Sequence, residues 1–467
     1  MTRHINPSHV WDTVHGEVEL RSDHLYDLMG LQVSPSYIIY KDGDMVKAKN
    51  GKMGVIEFSG SDAATVIQSA INALKGVGGE VLIRSGDYVL NSGIVIPSDG
   101  YYSDYPRTLR LRGESWRSTR LFFNGSGGAI IELENPSQYH VVENLSLYGT
   151  PRLPQSGDSP DDLFKADVGL KLVRPDSTYW HGGNVFRDLL ICYCKSRGIE
   201  LVNSEENKFQ NVAVNGIGTE TITGYGVYIS DSYEGTRVSC QRNTFLNCYF
   251  TKSRYNFKLE GGQAMLIDCY FYGAYDDWLM PNTYGDMLLD PDSTFGNGYP
   301  PVILMGCHFE GKSMYNVKVG FNISNPHYIY FVGCRFMNRL AGTNCLEIKY
   351  MEGAFISCVM ADGSANKNIV FTDSRVNPAQ VKGATLSGSY RVENGGVATF
   401  SGDGSTTQFA IEHGLVSEPS VANVTPMSSD AVGDFYVTKD STYIYVNYLT
   451  APPSGTDNVV LSWRAEV

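Results

Sequence analysis

The chain has 467 residues, with 37 Lys and Arg against 50 Asp and Glu, a net charge of −13, 49 Gly and only 19% charged residues. The acidic balance argues against a nucleic-acid partner, because phosphate binding needs a basic surface. No apolar run reaches the roughly 18 residues of a membrane span, and abundant Gly with few charges suits an all-β chain rich in turns.

Residues 1–58 read as an N-terminal head and hairpins. The opening Met1-Thr-Arg-His-Ile-Asn-Pro has no apolar stretch behind it and is not read as a secretory leader. Asp23 to Met29 is expected to form a short helix ended by Gly30, and Tyr37-Ile-Ile-Tyr40 and Met45-Val-Lys-Ala48 flank the tight-turn pair Asp42-Gly43. Then comes an amphipathic helix: Ala63, Val66, Ile67, Ala70, Ile71 and Leu74 form one apolar stripe, with Ser61 or Asp62 as N-cap and Gly76 to Gly79 as terminator. Gly79 to Leu90 follows as a strand pair. A helix at this place covers the open end of whatever sheet structure follows.

From residue 142 onward one pattern recurs: a large apolar residue, a turn-forming residue one or two places on, a small apolar residue, a variable one, then another apolar residue. Phe245-Leu-Asn-Cys248-Tyr-Phe250, Leu266-Ile-Asp-Cys269-Tyr-Phe271, Leu304-Met-Gly-Cys307-His-Phe309, Phe331-Val-Gly-Cys334-Arg-Phe336 and Phe355-Ile-Ser-Cys358-Val-Met360 carry it with Cys at the key position. Leu145, Leu189 and Val212 occupy the same place in three earlier copies, so the steps are 44, 23, 36, 21, 38, 27 and 24. Period-2 alternation in short strands at such spacing is a solenoid signature. Successive turns stack about 4.8 Å apart, so like residues form ladders. The Cys column is expected inside the coil as small hydrophobes. The column Asn144, Asp188, Asn211, Asn247, Asp268, Gly306, Gly333, Ser357 is expected to be a bend ladder, since most of these residue types tolerate left-handed backbone. A second strand follows most copies, as in Gly198-Ile-Glu-Leu-Val and Asn256-Phe-Lys-Leu. The longest steps mark insertions near Pro151–Ala166, Ser230–Arg242 and Pro281–Pro300.

These repeats and the helix-then-Gly-Gly-Glu-Val start resemble the right-handed parallel β-helix proteins: the pectate-lyase and polygalacturonase superfamily and the phage and archaeal-virus tailspike-like proteins that share its fold. The resemblance covers roughly residues 55–390. It implies an all-β chain whose right-handed single-stranded parallel β-helix spans 59–390 behind the N-terminal capping helix. After a Gly-rich linker, residues 397–467 alternate as a small C-terminal β-sandwich domain. The resemblance also implies a homotrimer, a polysaccharide or surface glycan as partner, and a place outside the cell or on a virion surface. A secreted polysaccharide lyase or glycoside hydrolase, and a purely structural spike, are the alternatives.

If Cys and Phe point inward, the residue between them points outward. That column reads Leu190, Ala213, Tyr249, Tyr270, His308, Arg335 and Val359, with Thr251, Tyr272, Glu310 and Met337 two positions on. Tyr249, Tyr270 and Tyr272 suit stacking on sugar faces and Arg335 suits a carboxylate or sulfate. His308 and Glu310 suit proton transfer. The bland reading of the same face is a solvated sheet with a Glu310–Arg335 pair. Insertions at 230–242 and 281–300 are expected to wall the patch. Asp276-Asp277 is a second candidate catalytic pair, although the Asn-Thr-Asp, Gly-His-Gly and Arg-Ile-Lys of polygalacturonases and the recognisable signatures of pectate lyases are missing. Cys192-Tyr-Cys194 would share a face by alternation, and His181 reads as a surface hydrogen-bonder. The asparagine of Asn322-Ile-Ser324 is a weak glycosylation acceptor. No metal and no cofactor are called for.

Overall fold

A computed structural model describes residues 9–12, 16–19, 35–98, 107–176, 181–273, 285–289, 301–311, 315–320, 328–337, 344–350, 352–356, 358–360, 369–371, 384–386 and 393–467. The expected helix at Asp23–Met29, the pair Asp276-Asp277 and Asn322 lie outside these residues. So do parts of the third insertion, but its Gly285–Leu289 is a regular strand of the coil.

Each turn of the chain is a three-sided rung. In one of them Asn243–Leu246 belongs to a first sheet, Tyr249–Thr251 to a second and Tyr255–Leu259 to a third. Each strand pairs in parallel with its equivalents in the rungs before and after. The chain therefore forms a parallel β-helix. The first two sheets meet at a sharp bend made by one residue per rung. Asn144, Asp188, Asn211, Asn247, Asp268, Gly306 and Gly333 all hold φ between 51° and 65°, a conformation that Gly, Asn and Asp enter most cheaply. The expected bend ladder is thus present at these seven positions, and Ser357 lies outside the described residues. It splits what the sequence shows as one motif into two strands on different faces.

Inside the coil the ladders are apolar. Phe186, Phe209 and Phe245 stack on the first sheet with centroids 4.9 and 4.6 Å apart. Below them that column narrows to Leu266 and Leu304 while the second-sheet column widens to Phe250, Phe271, Phe309 and Phe336. Phe271 stacks on Phe309 at 4.5 Å and Phe309 on Phe336 at 5.0 Å. In two rungs both positions are Phe and the rings meet edge to face, Phe245 with Phe250 at 6.0 Å and Phe331 with Phe336 at 5.5 Å, so the interior stays filled. Cys248, Cys269, Cys307, Cys334 and Cys358 are buried as expected, and no disulfide joins them. Burial and neighbouring thiols push Cys248 and Cys307 well above the ordinary thiol range. Along the column the thiols donate to backbone carbonyls, Cys269 to Phe245 O at 3.4 Å, Cys307 to Leu266 O at 3.5 Å and Cys334 to Leu304 O at 3.3 Å, and burial in an apolar column opposes a thiolate.

The corner between the third and first sheets is polar. Asn184 donates its Nδ2–H to Asn207 Oδ1 at 3.1 Å, and Asn207 does the same to Asn243 at 3.0 Å. The backbone N–H groups of Asn184 and Asn207 donate to the same carbonyl oxygens, so buried corner amides stay satisfied. Next to this ladder His181 is completely buried, not a surface group. Its Nδ1 accepts from Ser137 N at 3.2 Å. Cys192 and Cys194 do not share a face either. Tyr193 between them has φ 62°, which turns Cys194 into the core and leaves Cys192 outside it, against Phe122 and Tyr148.

The N-terminal end is closed twice. The helix Ala63–Ala73, capped by Asp62 accepting from Thr65 N, buries its stripe on the core cross-section. The edge of the first sheet is covered separately: Tyr37–Asp42 pairs parallel with Gly79–Ile83 and antiparallel with Met45–Asn50, which pairs with Ile56–Gly60. Those strands use the edge N–H and C=O groups that a helix cannot. At the other end of the chain, two three-stranded antiparallel sheets form. They combine Glu393–Gly402, Gly455–Glu466 and Val421–Pro426, and Gln408–Glu412, Tyr443–Tyr448 and Phe435–Lys439. Phe409, Ile411, Ile444, Val446, Val459 and Leu461 are the core between them. The strand Val421–Pro426, which contains two small residues and a proline, is absent from the sequence reading.

Candidate functional site

The outward face of the second sheet carries the predicted column in register. Ala213 pairs with Tyr249, Tyr249 with Tyr270, Tyr270 with His308, His308 with Arg335 and Arg335 with Val359. The adjoining column runs Cys192, Asn215, Thr251, Tyr272, Glu310. The expected outward direction holds for Tyr249, which is 40% exposed, and for Arg335. Thr251 differs: it faces the same way but is 4% exposed.

In the upstream rungs this face is closed. Phe122, Tyr148 and Cys192 point out of the coil yet are buried together, and Phe122 stacks on Tyr148 at 4.8 Å. Tyr193 packs on that cluster, and Phe164 from the first insertion packs on Tyr193 at 5.7 Å. The insertion is tied to the next corner loop by Thr221 Oγ1 donating to Asp161 Oδ1 at 2.7 Å. The described flank of the open face is therefore the loops at 149–167 and 216–224, where the second sheet passes to the third. The loop at 230–242 does not wall the patch. It joins third-sheet strand Tyr225–Ser230 to first-sheet strand Asn243–Leu246, the corner across the coil from the second sheet. Loop length alone does not tell which corner a loop occupies.

The open face begins with a flat aromatic platform. Tyr249 and Tyr270 stack at 5.0 Å with 6° between planes, and Tyr272 lies beside Tyr270 at 6.4 Å. His308 stands edge-on to Tyr270 at 5.0 Å. Tyr270 Oη donates to Glu310 Oε2 at 2.9 Å, and the same oxygen lies 3.5 Å from His308 Nε2. One carboxylate thus holds a phenol by a hydrogen bond and sits beside an imidazole. Partial burial, then the bond to Glu310, pushes the Tyr270 phenol above its ordinary value, and burial does the same to Tyr249. Tyr270 therefore stays a proton donor near neutrality. Arg335, one rung beyond His308, offers a guanidinium to an anionic group. Four chemistries meet on four successive rungs: a stacking surface, a hydrogen-bonded acid, a titratable base and a cation.

Among the described residues no group of three or more His, Cys, Asp or Glu is placed to hold a metal ion, and no helix is long and apolar enough to cross a membrane. No family model matches the chain, and no curated protein does. Solved structures do resemble it. The protein "Geobacillus virus E2 - ORF18" matches at TM-score 0.51 and 16% identity over 84% of this chain and 75% of its own. The tailspike protein of Acinetobacter phage vB_ApiP_P1 matches at 0.47 and 14% over 87% and 84%. An alginate lyase from a Paenibacillus species matches at 0.45 and 12% over 67% and 97%. The first of these likenesses shows a shared fold.

Proposed function

We propose that this protein binds a polysaccharide along the outward face of its second sheet and depolymerises it, as a tailspike-like protein on a virion surface or outside the cell. One observation carries the reading: the parallel Tyr249–Tyr270 platform runs directly into Glu310, which accepts a hydrogen bond from Tyr270 and lies 3.5 Å from His308, with Arg335 on the next rung. Coplanar phenols at rung spacing present an extended amphipathic surface of the kind sugar rings stack on. The cluster beyond it holds the proton donors and acceptors that cleavage of a glycosidic link requires. In this reading His308 and Glu310 handle the proton, Tyr249, Tyr270 and Tyr272 hold the sugars, and Arg335 binds an anionic substituent.

The rest of the chain fits such a role. The residues before Tyr37 serve as an attachment head, the strands at 37–60 and the coil to residue 390 as the rigid recognition rod, and 397–467 as a compact terminal module. Three copies associate side by side. The support for association is the outward face of the first sheet. Its early rungs are charged, with buried Glu143 held by Arg110 and Arg187. Its later rungs turn apolar: Leu246 is 37% and Met305 45% exposed, with Met265, Ile267, Ile303 and Val332 half-buried around them. A contiguous apolar sheet face of this kind is a protein-contact surface.

The test is binding to a glycan array followed by product analysis of any hit, with Tyr270→Ala and Arg335→Ala as variants. Each removes an anchor and is expected to weaken binding by about 1–3 kcal/mol, several-fold to more than 100-fold. Unchanged binding in both variants would place the glycan on another face and overturn the assignment.

A further inference from the structure

Resting on the reading above, we infer that the glycan face ends upstream in a terminal subsite: Asn215 and Thr251 hold the last sugar unit of a chain against the wall made by the first insertion, so the protein works from polymer ends and not at internal links. Two independent observations meet there. The first is the wall. On the rungs of Phe122, Tyr148 and Cys192 the outward face is buried, and Phe164, itself fully buried, packs from the insertion onto Tyr193. The insertion is held at its base, where Lys165 N and Ala166 N donate to Gly149 O at 2.7 and 3.1 Å, and at its tip by the Thr221–Asp161 bond. A polymer lying over Tyr249 and Tyr270 along the solenoid axis therefore stops at the Cys192 rung. The second observation is the polar pair below the wall. Asn215 follows Cys192 in register and Thr251 follows Asn215. Asn215 Oδ1 and Thr251 Oγ1 are buried, and among the described residues neither has a hydrogen-bond partner. The Tyr249 phenol lies near the Thr251 hydroxyl without a bond of ordinary geometry.

A buried oxygen without a partner lowers stability, and a ligand that supplies the partner removes that loss. The approach is over Asn215, which is half-buried and the first outward position beyond the wall. A site of this kind accepts a unit that presents hydroxyls and rejects one in which they are missing or substituted. Downstream, Thr251 pairs with Tyr272 and Tyr272 with Glu310. Asn215 is thus three rung steps from the His308–Glu310 rung, about 14 Å at the spacing of paired strands. That span takes a short oligosaccharide, and Tyr249 and Tyr270 hold the units within it. The wall sets how far a chain advances before a link reaches Glu310, so the released fragments share one length.

The full chain is mixed with alginate, polygalacturonate, hyaluronan and dextran, and with any polysaccharide that the array identifies, each in a long and a partly hydrolysed short form. Binding stoichiometry, viscosity, reducing ends and product length are measured. The expected result is the same number of protein chains bound per polymer chain at both lengths, a viscosity that falls late, and one dominant short product from the first turnovers. Binding sites that multiply with polymer length, or an early collapse of viscosity with products of mixed length, overturn the terminal subsite and leave the glycan reading standing. Length-independent stoichiometry without cleavage keeps the subsite and removes depolymerisation. No binding to any polymer removes both. The double variant Asn215→Ala with Thr251→Val separates a ligand role from a packing role. It is expected to weaken binding of the short form about 10-fold and to leave the urea midpoint no lower than the parent's, because neither deleted oxygen has a protein partner. Unchanged affinity, or a loss of affinity that only accompanies a lowered midpoint, overturns the assignment of these two residues.

Discussion

At Cys307 a single side chain reports the register of the coil. It is fully buried between the thiols of neighbouring rungs, and the same alternation that buries it sends His308 outward. The five ladder cysteines are expected to resist alkylation in the native protein and to react on unfolding. Cys307→Asp buries a carboxyl without a partner and is expected to cost several kcal/mol in chemical denaturation, whereas Cys307→Ala costs about 1 kcal/mol. Rapid native labelling of all five would contradict the register. His181 makes a different prediction. Burial lowers its imidazole to about 3, against about 6.5 in an unfolded chain. Below pH 6.5 the unfolded state binds the proton that the folded state refuses. The contribution is therefore complete above pH 6.5 and is lost as the pH falls toward 3, by about 1.4 kcal/mol per pH unit. Urea midpoints measured from pH 7 to 4 should fall more gently in His181→Asn than in the parent; equal slopes would mean that His181 is not the group responsible.

Strands and ladders were legible in the sequence to the extent that they repeat. The Cys and Phe columns, the bend residues and the capping helix all follow from alternation and from the few residue types that tolerate φ near +55°. The outward column at 249, 270, 308 and 335 follows from the same register. What repeats do not encode was missed. The parity rule fails at Tyr193, where a left-handed residue reverses the sidedness of Cys192 and Cys194. Polar burial at His181 depends on a corner ladder from distant rungs. Gly285–Leu289 reads as insertion because Gly, Asp and Pro surround it. Side-chain leaning, as in Glu310 toward His308, is a rotamer property that no spacing reveals. At this scale the stacked core is the testable part. Phe309→Ala opens a cavity between Phe271 and Phe336 and should destabilise by about 3–5 kcal/mol. A loss below 1 kcal/mol would mean that the column is not continuously packed.

As a whole the chain is a rod with differentiated faces: a second sheet with an open aromatic and titratable stretch, and a first sheet that passes from charged to apolar along its length. The apolar stretch predicts association. The parent is expected to be a trimer by light scattering at micromolar concentration. Leu246→Glu with Met305→Glu should shift it toward monomer without unfolding the coil, since both side chains already point to solvent. A parent that is monomeric would remove the assembly proposal and leave the glycan face untouched. That face is the central claim, and the most direct measurement of it is a crystal structure of His308→Ala with a bound fragment of whichever polysaccharide the array identifies. The account predicts sugar rings lying over Tyr249 and Tyr270, with the scissile link beside Glu310. Sugar bound to the first or third sheet, or to the C-terminal sheets alone, would contradict it.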